Sequence, residues 1–101
     1  MKIKITEIAK REFLDAKSFY DLEQPGLGVK YKSEIEEGLL RIKRFPEAWH
    51  IEHAEIHRYL THRFPYKILY VIENDVIVVL AFAHQHRAPD YWIDRIEKDA
   101  S

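Results

Sequence analysis

Two apolar runs constrain this chain more than anything else in it. "PYKILYVI" (65–72) and "VIVVLAFA" (76–83) are rich in β-branched and aromatic residues and flank "ENDV", a hairpin turn signal centred on Asn74-Asp75. Counting outward from that turn, Val71 faces Val78, Leu69 faces Leu80 and Lys67 faces Phe82. One face of the hairpin then carries Lys67, Leu69, Val71, Val78, Leu80, Phe82 and His84. If pairing persists past Pro65, it also carries His86 beside Arg63, although a proline there can introduce a bulge. The opposite face runs from Tyr66, Ile68 and Tyr70 across to Ile77, Val79, Ala81 and Ala83, with Gln85 and Arg87 at its end. Both faces are apolar near the turn, and polar groups gather only at the far end.

The first 46 residues read as a strand followed by a helical hairpin. "KIKIT" alternates with the period of a short strand, and Thr6 can cap the helix that follows. Ala9, Phe13, Ala16 and Tyr20 make one apolar stripe, and "EQPGLG" breaks it. A second helix begins near Leu27, with Tyr31, Ile35, Leu39 and Ile42 on one face. Arg41, Lys43 and Arg44 close it and Pro46 ends it. Trp49 falls in the loop region that follows, where it can cover a core edge. "EIHRYLTHR" alternates loosely as a strand, and "PDYWIDRIEKDAS" reads as a short terminal helix beginning near Pro89. The expected fold class is therefore α+β: a short N-terminal strand, a helical hairpin, then an antiparallel β-sheet with a short C-terminal helix.

With 101 residues, 47% of them hydrophobic, the chain suits one domain spanning 1–101 that builds its core without staples. The absence of cysteine excludes a disulfide framework and thiolate metal sites. No stretch reads as a membrane span or secretory signal, so the expected location is the cytosol. A formal net charge of −1 argues for no particular partner. Positive charge is nevertheless concentrated, because neither Ile56–Val71 nor Val76–Pro89 contains a carboxylate.

His84-x-His86 has the spacing of a two-imidazole chelate, but Lys67, Arg63 and Arg87 nearby would repel a dication and no carboxylate or thiol accompanies it. No metal or cofactor is expected: P-loop, Rossmann glycine, HExxH and G-x-S-x-G signatures are all lacking. The cluster suits a polyanion better. RNA cleavage by the adjacent 2′-hydroxyl needs a base, an acid and positive charge over the phosphate. His84 or His86 suits the proton transfers, and Arg63, Lys67 and Arg87 suit the charge. The plain alternative is a solvated sheet end whose charges protect an edge from aggregation.

The order of pieces, and above all "RFPYKILY" and "AHQHRAPDYW", resembles the RelE/ParE superfamily of bacterial toxins encoded in type II toxin-antitoxin and plasmid-stabilisation modules. The resemblance covers nearly the whole chain. It implies a small α+β toxin neutralised by a cognate antitoxin that folds a disordered segment over it. In the RelE-like branch it implies a ribosome-dependent mRNA endoribonuclease. The residues concerned would be Arg63 and Lys67, His86 or Arg87 at the end of the last strand, and Tyr91. In the ParE-like branch it implies inhibition of DNA gyrase without that constellation. A near-neutral chain with lysine at position 67, where the nuclease branch commonly has arginine, leans toward the ParE-like branch. A third possibility is an inactive relative acting as corepressor with its antitoxin.

Overall fold

The computed structural model describes residues 1–87 and Arg95. The expected terminal helix, with Tyr91 and Trp92, lies outside the described residues. Strand β1 (Lys2–Ile5) leads into α1 (Glu7–Glu23), whose first turn is closed by Thr6, the side-chain oxygen accepting from Ala9 N–H at 3.2 Å. Gly26, at φ +88°, turns the chain where a Cβ would be strained, and α2 (Leu27–Arg44) follows at once. Asp21 reaches forward from α1 and accepts from Gly28 N–H at 2.8 Å, satisfying an amide that the start of a helix leaves unpaired.

Four more strands follow: β2 (Ile51–His53), β3 (Ile56–Leu60), β4 (Tyr66–Glu73) and β5 (Val76–His84). They form one sheet with β1 in the order β1-β5-β4-β3-β2. Neighbours among β2 to β5 are antiparallel, whereas β1 pairs with β5 in parallel from Lys2↔Val76 to Ile5↔Val79. Strand β2 occupies part of the region read from sequence as loop. Three residues, "IEH", are too few for an alternation to register.

Both helices cover one face of the sheet. Ala9, Ala16, Tyr31, Ile35 and Ile42 pack there on Tyr59, Ile68, Tyr70, Ile77, Val79 and Phe82. A second buried cluster, Ile56, Leu69, Val71, Val78, Leu80, Ala81 and Ala83, holds alternate positions except at the adjacent Leu80 and Ala81, and belongs to the other face. Helix α2 approaches closely at Gly38, where an added Cβ would stand 2.8 Å from Tyr59 Cε1 and 3.0 Å from Ile68 Cδ1. Trp49 covers the core edge as expected, its ring edge-on to Tyr59 at 4.8 Å.

The hairpin turn is as expected, with Asn74 and Asp75 both at positive φ (49° and 62°). The register is not. Glu73↔Val76 through Tyr70↔Val79 follow the simple count, but the next pairs are Leu69↔Ala81, Ile68↔Phe82, Lys67↔Ala83 and Tyr66↔His84. Leu80 is an extra residue, a β-bulge, in place of the expected Leu69–Leu80 and Lys67–Phe82 pairs. Two backbone groups beside it are satisfied from a distance: Leu80 C=O accepts from Arg95 Nη1 at 2.8 Å, and Phe82 N–H donates to Glu12 Oε1 at 3.2 Å. The bulge moves Phe82 and His84 to the helix face and leaves Lys67 with Ala81 and Ala83 on the other.

The core contains phenols that burial holds neutral. Tyr31 is fully buried, its hydroxyl has no hydrogen-bond partner among the described residues, and burial pushes its pKa well above the usual phenol range. Burial also raises Tyr70, whose hydroxyl donates to Pro46 C=O at 2.6 Å. Because these folded-state values exceed the unfolded one, their stabilisation is complete below about pH 10 and is lost as pH rises beyond it. Urea unfolding is expected to show a lower midpoint at pH 11 than at pH 9, with a smaller drop in Tyr31→Phe, which removes only an unpartnered hydroxyl. Equal drops in both proteins would rule out Tyr31 as a source of the effect.

Candidate functional site

The residues expected to form one cationic cluster occupy three places. Lys67, on β4, is buried, and its ammonium lies 2.8 Å from Glu52 Oε1 with the two side chains only 5% and 8% exposed. Arg58 Nη1 stands 3.7 Å from the same oxygen, while Glu52 Oε2 is buried without a hydrogen-bond partner among the described residues. A carboxylate from β2 thus neutralises the lysine that the carboxylate-free stretch 56–71 seemed to leave uncompensated.

Arg63 lies in the turn between β3 and β4. Thr61 shapes that turn by donating to Phe64 C=O, and Tyr66 C=O accepts from Thr61 N–H at 3.0 Å. Glu34 of α2 then accepts from two successive amides, His62 N–H at 2.5 Å and Arg63 N–H at 2.6 Å. Arg63 consequently lines a cleft of about 370 Å³ against Lys30, Ser33 and Glu34 of α2.

His84, His86 and Arg87 form the third place, at the exit of β5, and all three are exposed. The His84 ring stands edge-on to Tyr66 at 5.7 Å and 5.5 Å from the His86 ring. His86 N–H donates to His84 Nδ1 at 3.3 Å, which leaves a neutral His84 with its proton on Nε2. Arg87 N–H donates to His84 C=O at 3.0 Å, and Gln85 ties the exit to the neighbouring turn through Thr61 C=O and Tyr66 C=O. His84 and Arg87 also line a cleft of about 290 Å³ whose opposite wall is Glu12, Asp15 and Phe19 of α1.

Lys67 and His84 therefore face opposite sides of the sheet, and the expected one-face cluster is corrected by the bulge. The β5 exit retains proton-transfer groups and one guanidinium. Tyr91 lies outside the described residues. Among the described residues no group of three or more His, Cys, Asp or Glu is placed to hold a metal ion. Sequence reasoning missed Glu52, Glu34, Glu12 and Arg95. Their hydrogen bonds to Lys67, to His62 and to each other span at least 15 positions, and no local pattern announces such a contact.

Residues 3–89 match the family model described as the ParE toxin of the type II toxin-antitoxin system parDE. The chain belongs to the ParE toxin family. It is thus a ParE-type toxin of a type II toxin-antitoxin system. Among solved structures it is similar to a chain of the chromosomal ParDE TA system from P. aeruginosa. That likeness has a TM-score of 0.75 and 16% identity, and covers 83% of this chain and 95% of that one. It is also similar to the isolated E. coli RelE toxin, with a TM-score of 0.63 and 15% identity over 99% of this chain and 98% of that one. At these identities the likeness concerns the fold, and both neighbours share the α+β architecture of this ParE-type chain. No curated protein matches the sequence.

Proposed function

We propose that this ParE-type toxin acts by binding rather than by cutting RNA, with DNA gyrase as its target in the cytoplasm and a cognate antitoxin holding it off. The observation that carries the reading is the buried Lys67–Glu52 pair on the sheet face away from His84. A phosphate-stabilising lysine has to meet its substrate, and this one is already neutralised by a carboxylate of its own chain. The net charge of −1 agrees, since search on a ribosome favours a strongly basic protein. An antitoxin partner follows from the family and from the neighbour in a ParDE system.

The exposed His84 and His86 beside Arg87 are what favours the second reading, a ribosome-dependent endoribonuclease. General acid–base groups are worth about 10²–10⁴-fold in rate, so under that reading their loss cannot be silent. The test is tightly controlled expression without antitoxin of the parent and of the His84→Ala/His86→Ala double variant. Arrest by both proteins, with DNA supercoiling lost before translation slows, is the expected result. Arrest by the parent alone, with messages cut on ribosomes, would establish the nuclease instead. Harmless expression of the parent would point to a corepressor.

A further inference from the structure

We infer that the cleft between α1 and the end of β5 is a socket for one arginine side chain presented by a partner polypeptide. The inference does not depend on whether the toxin reaches gyrase or the ribosome. This corner of the fold already holds a guanidinium. Arg95 places Nη1 3.0 Å from Glu12 Oε1 and Nη2 3.2 Å from Glu12 Oε2, while Nη1 also reaches Leu80 C=O at 2.8 Å. That is the two-pronged recognition for which guanidinium is shaped.

Glu12 is committed to Arg95, but the same wall repeats the offer. Asp15, one turn further along α1, lines the cleft, is exposed, and makes no hydrogen bond or ion pair among the described residues. Phe19 follows four residues later and is 55% exposed although it lines the same cleft, with Tyr66 and Phe82 on the other side. A carboxylate in a cleft also lined by the exposed Phe19 ring suits a flat cation that stacks and donates two parallel hydrogen bonds. A compact, strongly hydrated ammonium gains less from both features. The cleft, about 290 Å³, has room for a guanidinium and its stem. The guanidinium of Arg87 on the β5 side limits the socket to a single cation. A guanine base offers a similar donor edge, but the guanidinium already bound one turn away favours arginine.

The test is an NMR titration of the full chain with acetyl-Gly-Arg-Gly-amide, alongside the lysine and citrulline analogues and guanosine monophosphate. Saturable shifts at Asp15, Phe19 and His84 are expected with the arginine peptide. Weaker binding of the lysine peptide and at least about tenfold weaker binding by Asp15→Asn are also expected. Phe19→Ala, also exposed, should weaken binding while leaving the remaining spectrum folded. The socket is refuted if no saturable shift occurs, if citrulline binds as well as arginine, or if Asp15→Asn changes nothing. Tighter binding of guanosine monophosphate than of the arginine peptide would replace it with a base-binding slot.

Discussion

Replacing Lys67 with alanine is expected to lower the unfolding free energy by about 3–5 kcal/mol, the usual cost of stranding one member of a buried ion pair. The side chains are 5% and 8% exposed, so little water is available to screen the carboxylate left behind. Among the described residues Glu52 already has one oxygen without a donor, and Arg58 at 3.7 Å is too distant for a hydrogen bond. The paired replacement Lys67→Met with Glu52→Leu should recover most of the loss, because exchanging both charges for apolar groups of similar volume is often neutral or stabilising. Urea unfolding of the parent, single and double variants measures the coupling directly. A loss below about 1 kcal/mol in Lys67→Ala would mean the pair behaves as an exposed one. If the double variant is stable and still arrests growth, the lysine serves the fold and not the chemistry.

Gly38→Leu is expected to destabilise the protein by about 3 kcal/mol, the upper end of what overpacking a close contact usually costs. The point of contact is the ring of Tyr59, which has little freedom to retreat. Trp49 packs edge-on against it, and Arg41 Nη1 donates to its hydroxyl at 3.3 Å. Ile68 Cδ1 closes the other side. Gly38→Ala should cost less, because it brings only a Cβ against Tyr59 and Ile68 and gains about 1 kcal/mol of helix propensity over glycine. Thermal unfolding of the two variants reads the difference, and a Gly38→Leu melting temperature equal to the parent's would show that α2 can lift from the sheet without penalty.

Most of the scaffold is written in local patterns. Thr6, the stripe from Ala9 to Tyr20, Gly26, Pro46 and the Asn74-Asp75 turn each act within a few residues, and each appears where its chemistry predicts. The candidate site depends on a register, and a register accumulates along a strand. The count from Asn74-Asp75 holds as far as Tyr70↔Val79 and then slips by one. Pro65 marks the open end of the hairpin, whereas the slip lies in mid-strand. At Leu80 the sequence offers only another apolar residue in an apolar run. The groups that satisfy the backbone there, Arg95 at Leu80 C=O and Glu12 at Phe82 N–H, lie 15 and 70 positions away, so nothing nearby marks the slip. Glu52 was hidden for a related reason: it sits in a strand of three residues whose pairing is itself irregular.

The additional residue at position 80 works like a half-twist in a ribbon. It lets the turn-proximal half of β5 keep its match with β4 while the distal half presents its other side. Without the bulge, the same amino acids paired regularly, Leu80 against Leu69 and Phe82 against Lys67, would bring His84 round to the flank occupied by Lys67. Whether the imidazoles and the ammonium share a flank thus turns on whether one residue is paired or skipped, with no exchange of side chains.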